Sequence, residues 1–145
     1  MRVSFAIVFT KIRKKMRFYC IFAIKREFVM ETIEVNGLEV FARHGVGEQE
    51  RKVGNMFTVD LQLNVDLSRA MVSDSVDDTV NYAEVIALVK SEMAVPSLLL
   101  ENVVYRIKEA IVTKFPQVNG GMVRVAKLTP PIPCKVTSVA VVTRW

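Results

Sequence analysis

Lys127 ends an apolar run, Met122-Val123-Arg124-Val125-Ala126, and is followed by Leu128-Thr129-Pro130-Pro131-Ile132-Pro133. A lysine in the last position of a strand is held by the sheet, with its ammonium directed past the edge. The prolines behind it lack the N–H a ladder needs, so the strand stops there. Glu101 follows Leu98-Leu99-Leu100 and opens a helical apolar pattern. There the free N–H groups and the helix dipole favour an ionised carboxylate. A fixed base and a fixed anion are what a lyase acting on a small molecule would use.

The elements that must place these groups follow from periodicity. Phe57, Val59, Leu61, Leu63, Val65 and Leu67 alternate with polar residues, which predicts a strand over Met56–Leu67 with one buried face. Glu31–Arg43 reads as a strand pair or one bent strand, broken at Asn36-Gly37. Ser73–Val80 is acidic and turn-like. A helix is expected over Tyr82–Ala94, ended by Pro96. A second helix, capped by Ser97, carries the stripe Leu100, Val103, Val104, Ile107, Ile111 and Phe115. Strands over Met122–Lys127 and Val136–Arg144 complete the order β-β-α-α-β-β, an α+β class with both helices on one face of an antiparallel sheet. Its apolar edge strands would recruit other chains, so a homo-oligomer that closes a barrel is expected.

The chain has 145 residues and a net charge of +5. Residues 1–29 hold eight basic side chains against Glu27, a net +7, which leaves −2 for the remainder. The basic balance belongs to that segment, so nucleic acid is not the expected partner of the domain. Two distant cysteines, Cys20 and Cys134, and one histidine, His44, argue against a disulfide framework and a histidine-built metal site. Asp74, Asp77 and Asp78 read as a solvated acidic turn, and no metal or cofactor is expected. The apolar runs in 1–29 are too short to span a bilayer and are split by Lys11–Arg17. That segment is set apart as a disordered tail or a product of start-site choice, with a basic amphipathic anchor as the competing reading. The folded domain is expected over 30–145.

Four segments carry a resemblance: Ala42-Arg43-His44-Gly45-Val46 with Glu50 and Gly54, Thr79-Val80-Asn81-Tyr82-Ala83-Glu84-Val85, Leu99-Leu100-Glu101, and Lys127 with Pro130-Pro131-Ile132-Pro133. In this order and spacing the chain resembles the dihydroneopterin aldolase family of folate biosynthesis from about residue 31 to about residue 144. The resemblance implies the tunnelling fold, a homo-octamer of two stacked tetrameric rings, a cytoplasmic enzyme and a pterin substrate. It also implies site roles. Glu101 would anchor the pterin, assisted by the backbone of Leu100, and Val80 would line the pocket through its backbone. Lys127 would be the central catalytic group. Tyr82 would be the partner acid–base from the adjacent subunit, and Glu50 would contact the substrate. His44 is expected to be structural, hydrogen-bonded near the loop that places Glu50.

The chemistry suits these residue types. Retro-aldol cleavage needs a hydroxyl proton removed and a sink for the electrons of the broken bond. In 7,8-dihydroneopterin the ring imine is the sink, so proton handling and orientation are what the protein must supply. A carboxylate accepts two adjacent N–H donors of a pterin edge. A rival within the fold is an epimerase acting on dihydroneopterin or its triphosphate, which would want cations at the mouth; Arg43, Arg51 and Lys52 are candidates. A non-catalytic ring-forming scaffold is the rival of another class.

Overall fold

The alternation around Phe57 becomes the central strand of a four-stranded antiparallel sheet, in a computed structural model that describes residues 31–145. The strands are β1 (Thr32–Ala42), β2 (Asn55–Asn64), β3 (Gly121–Lys127) and β4 (Val139–Arg144), in that spatial order. Phe57, Val59, Leu61 and Leu63 of β2 point to one face and are at most 1% exposed. Two helices cover that face, α3 (Tyr82–Ala94) and α4 (Leu100–Lys114). Val85, Val89 and Met93 of α3 and Val103, Val104, Ile107 and Ile111 of α4 complete the core with Val123 and Val125 of β3. Each such buried aliphatic side chain stabilises by about 1.5–3 kcal/mol. Two short helices, α1 (Glu48–Val53) and α2 (Ala70–Ser73), and a 3₁₀ turn at Val76–Asp78 fill the connections. The α+β order expected from periodicity is the observed one.

β1 is a single bent strand. Its register against β2 shifts between Val35 and Leu38, and Gly37 there has φ 69°, a conformation open to glycine. The Met56–Leu67 alternation outlasts its ladder, which ends at Asn64, although Val65 stays buried. β4 begins at Val139 and not at Val136. Pro130, Pro131 and Pro133 cannot donate to a ladder, and the chain turns on itself with Ile132 N–H on the Pro130 carbonyl. Ser97 is not the cap of α4. Leu99 holds that position with no side-chain cap, and the Ser97 hydroxyl bonds elsewhere. The expectations for residues 1–29 lie outside the described residues. No described helix is long and apolar enough to cross a membrane.

Candidate active site

The register Phe57↔Lys127↔Val139 makes Lys127 the last residue of an interior strand, on the helix-covered face. Its ammonium therefore does not project past the sheet as a strand-end position suggests. Lys127 is 7% exposed, with Nζ 5.9 Å from the centre of the Phe57 ring and hydrogen-bonded to Glu50 Oε1. The chain beyond it is tied back by Leu128 N–H on the Met56 carbonyl and by Asn55 Nδ2 on the Thr129 carbonyl, at 3.2 and 2.8 Å.

Glu50 lies in α1, where its Oε2 accepts the Gly47 N–H at 3.0 Å. This is the reciprocal half of a capping box, with glycine unable to supply the other. Gly45 has φ 150°, and a Cβ there would stand 2.8 Å from the Glu50 carboxyl carbon, so a side chain at 45 would displace the carboxylate. The hydrogen bond from Lys127 holds the Glu50 carboxyl below its ordinary pKa, and the Gly47 N–H and the Arg51 charge act the same way. Arg51 closes the loop, donating to the Gly45 and Val46 carbonyls at 2.7 and 2.6 Å.

His44 departs from expectation. It is 1% exposed, set edge-on to Phe57 at 5.2 Å, and neither ring nitrogen has a hydrogen-bond partner among the described residues. Burial first, then the charges of Arg106 and Lys127, bring its pKa down to about 4, so the ring is neutral at physiological pH. Next to it, the Gly45 N–H donates to the Ser97 carbonyl at 2.9 Å. That bond fastens the Glu50 loop to the segment leading into Leu100 and Glu101. Leu100 begins α4 half-buried, and Glu101 sits exposed in its first turn, in no hydrogen bond or ion pair among the described residues.

Tyr82 and Val80 are elsewhere. Tyr82 is the first residue of α3, capped by Asn81 Oδ1 on the Ala83 N–H, and is 64% exposed; Val80 before it is buried. The far end of α3 abuts Ser97 and Arg106, and its 13 residues span about 18 Å. The Tyr82 end carries open cavities lined by Asp77, Thr79, Asn81, Glu84, Gln117 and Asn119. Asn119 bonds Asn64 beside the start of β3, the opposite end of that strand from Lys127. Within one chain, then, Lys127 and Glu50 meet, the segment leading into Leu100 and Glu101 is bonded to the neighbouring loop, and the buried Val80 and exposed Tyr82 lie at the start of α3. Among the described residues no group of three His, Cys, Asp or Glu side chains could hold a metal ion.

Comparison with known proteins bears on this geometry. The family model for dihydroneopterin aldolase (FolB) matches residues 33–144. The chain belongs to the dihydroneopterin aldolase family. It is 43% identical over 104 residues to the dihydroneopterin aldolase of Staphylococcus epidermidis, covering 71% of this chain and 86% of that one. It is 38% identical over 113 residues to that of Bacillus subtilis, covering 77% and 94%. A crystal structure described as a candidate dihydroneopterin aldolase (FolB) from Vibrio cholerae superposes with a TM-score of 0.75 at 28% identity, over 80% of this chain and 97% of the other. The Escherichia coli dihydroneopterin aldolase in complex with neopterin shares the fold, with a TM-score of 0.74 at 22% identity over 80% and 99%.

Two cations considered as mouth groups for a triphosphate are engaged elsewhere in this dihydroneopterin aldolase family member. Arg51 is spent on its own loop, and Lys52 pairs with Glu48 at 2.7 Å. Arg106 was not singled out in the sequence. It lies off the apolar stripe on a helix that also carries Glu101, Lys108, Glu109 and Lys114, so nothing in the sequence sets it apart.

Proposed function

We propose that Lys127, with Glu50 and a Tyr82 supplied by a neighbouring subunit, carries out the proton transfers of dihydroneopterin cleavage. The chain is an aldolase of folate biosynthesis by family, and its reaction releases 6-hydroxymethyl-7,8-dihydropterin and glycolaldehyde from 7,8-dihydroneopterin. The observation that carries the residue assignment is the buried Lys127 paired with the half-buried Glu50, beside a loop bonded to Ser97 in the segment that leads into α4. Glu101, with the Leu100 backbone, accepts the adjacent N–H donors of the pterin, and the Val80 backbone lines the pocket from the neighbour's side.

The hydroxyl on the second side-chain carbon gives up its proton as the bond between the first and second carbons breaks. The second and third carbons leave as glycolaldehyde. The electron pair enters the ring imine, and the resulting enamine takes a proton at the first carbon to become the hydroxymethyl product. Lys127 needs no covalent bond to substrate, because the pterin supplies the sink. Glu50 keeps the ammonium oriented, and its depressed pKa keeps it a carboxylate while protons move. No cofactor or metal is assigned a part.

Tyr82 and Lys127 lie at opposite ends of one chain, which supports a site completed between subunits of a ring, two tetrameric rings making a cytoplasmic octamer. Residues 30–145 form the catalytic domain. Arg51 is engaged by its own loop carbonyls and Lys52 by Glu48, while Arg43 is exposed and in no ion pair among the described residues, so product analysis decides between cleavage of the unphosphorylated substrate and triphosphate epimerisation. The test is glycolaldehyde release from dihydroneopterin by purified protein, before and after dialysis against a strong chelator. Equal turnover is expected. Epimer without glycolaldehyde would replace this reading with the epimerase, and a loss restored by zinc would overturn the metal-free chemistry.

A further inference from the structure

Arg106, on α4, joins parts of the site that the proposed chemistry treats separately. Its Nη1 donates to Ser97 Oγ at 2.7 Å and to Asn102 Oδ1 at 3.2 Å. Its Nη2 donates to the carbonyls of Glu92 and Val95 at 2.8 and 3.0 Å, and Nε lies 3.3 Å from Glu92 Oε2. The last carbonyls of α3, the connecting segment and the first turn of α4 thus converge on one guanidinium. Ser97 also accepts the Gly45 N–H through its carbonyl. A helix C-terminus leaves carbonyls without partners, and a planar fork with fixed donors meets several of them at once. Leu99 at the N-cap of α4 gives no side-chain cap, so the start of that helix is set from outside its own cap.

We propose that Arg106 is a positioning residue for the aldolase reaction: it fixes the first turn of α4, and with it the direction of Glu101, while holding Ser97 where the Gly45 loop of Glu50 is anchored. This rests on the reading of Glu101 as the pterin anchor. Arg106 touches no substrate. Its effect is on where the anchor stands when the pterin arrives, and so on binding more than on the rate of bond cleavage.

The test uses the full chain and dihydroneopterin turnover, with neopterin binding measured by calorimetry. Arg106→Lys keeps the charge and loses the fork. KM and the neopterin Kd should rise roughly ten- to hundredfold, as for an anchor misplaced by about an ångström, while kcat changes only a few-fold. Ser97→Ala, which leaves Arg106 in place, should move KM in the same direction by less and serves should the arginine variant not fold. Either change combined with Glu101→Ala should add little, since the anchor it positions is already gone. A merely structural arginine would lower Tm and leave KM and Kd of the folded protein unchanged; that result, or full additivity with Glu101→Ala, overturns the proposal. Should the parent protein release no glycolaldehyde yet the variants still lose neopterin affinity, the functional reading fails and the positioning role stands.

Discussion

The two ends of the molecule handle their functional groups in opposite ways. At the Lys127 end a buried ammonium and a neutral imidazole are packed against Phe57, and the ammonium is paired with a carboxylate held by the segment containing Gly45 and Gly47. At the Tyr82 end the phenol stands exposed on the first turn of α3, and residues near it in the chain, Thr79, Asn81 and Glu84, line open cavities. The first arrangement fixes geometry within the chain, because a buried charge survives only with its partner in place. The second leaves its aromatic group free to meet something else. Half an active site built rigidly and half left exposed at the far end is the division a shared site requires.

Removing the ammonium tests the buried end. Lys127→Ala should lower kcat by roughly 10²–10⁴-fold, the usual share of a positioned acid–base group, with a much smaller change in KM. Borohydride added during turnover should leave the mass of Lys127 unchanged; a stable adduct would make the lysine a covalent catalyst.

Mixing tests the exposed end. Tyr82→Phe and Glu101→Ala, each poorly active alone, should regain activity when co-expressed, because random assembly leaves about a quarter of the sites with both groups intact. A mixture no more active than its components, with mixed oligomers verified by mass, would return Tyr82 and Glu101 to one chain and end the comparison.

Acid should act first on the buried end. The folded pKa of His44, about 4, lies below its ordinary 6.5, so the unfolded chain takes up the proton first. Stability is full above pH 6.5 and is lost as pH falls from there toward 4. Glu50, also depressed, adds a loss in the same direction as pH falls below 4.5. In thermal unfolding across this range, His44→Leu should flatten the upper part of the decline and Glu50→Gln the lower part. An unchanged slope in His44→Leu would mean that the ring titrates normally.

The smallest effect belongs to the segment outside both ends. Deleting residues 1–29 should leave kcat and KM within about twofold, since every assigned group and every periodic element follows Met30. An inactive or insoluble truncated protein would bring that segment into the fold or the assembly.

The sequence by itself determined the element order, the buried face of β2, the break at Asn36-Gly37, the extent of α3, and the strand-end and first-turn positions of Lys127 and Glu101, while the choice between a strand pair and one bent β1 was left to the structure. These are local properties, carried by periodicity and by proline, glycine and asparagine at breaks. Only the tertiary structure decided what those groups meet. The Lys127–Glu50 pair joins residues 77 apart in sequence and depends on the β2–β3 register together with the placing of α1. Ser97 reads as a cap because of its spacing from the helix, yet Arg106 and Asn102 claim its hydroxyl once α3 and α4 pack together. His44 reads as a hydrogen-bonded loop residue and is instead a buried ring with no hydrogen-bond partner among the described residues, set against Phe57, a neighbour that sequence proximity does not supply. The separation of Tyr82 from Lys127 is likewise a matter of how helices and strands are stacked end to end, which no local pattern records.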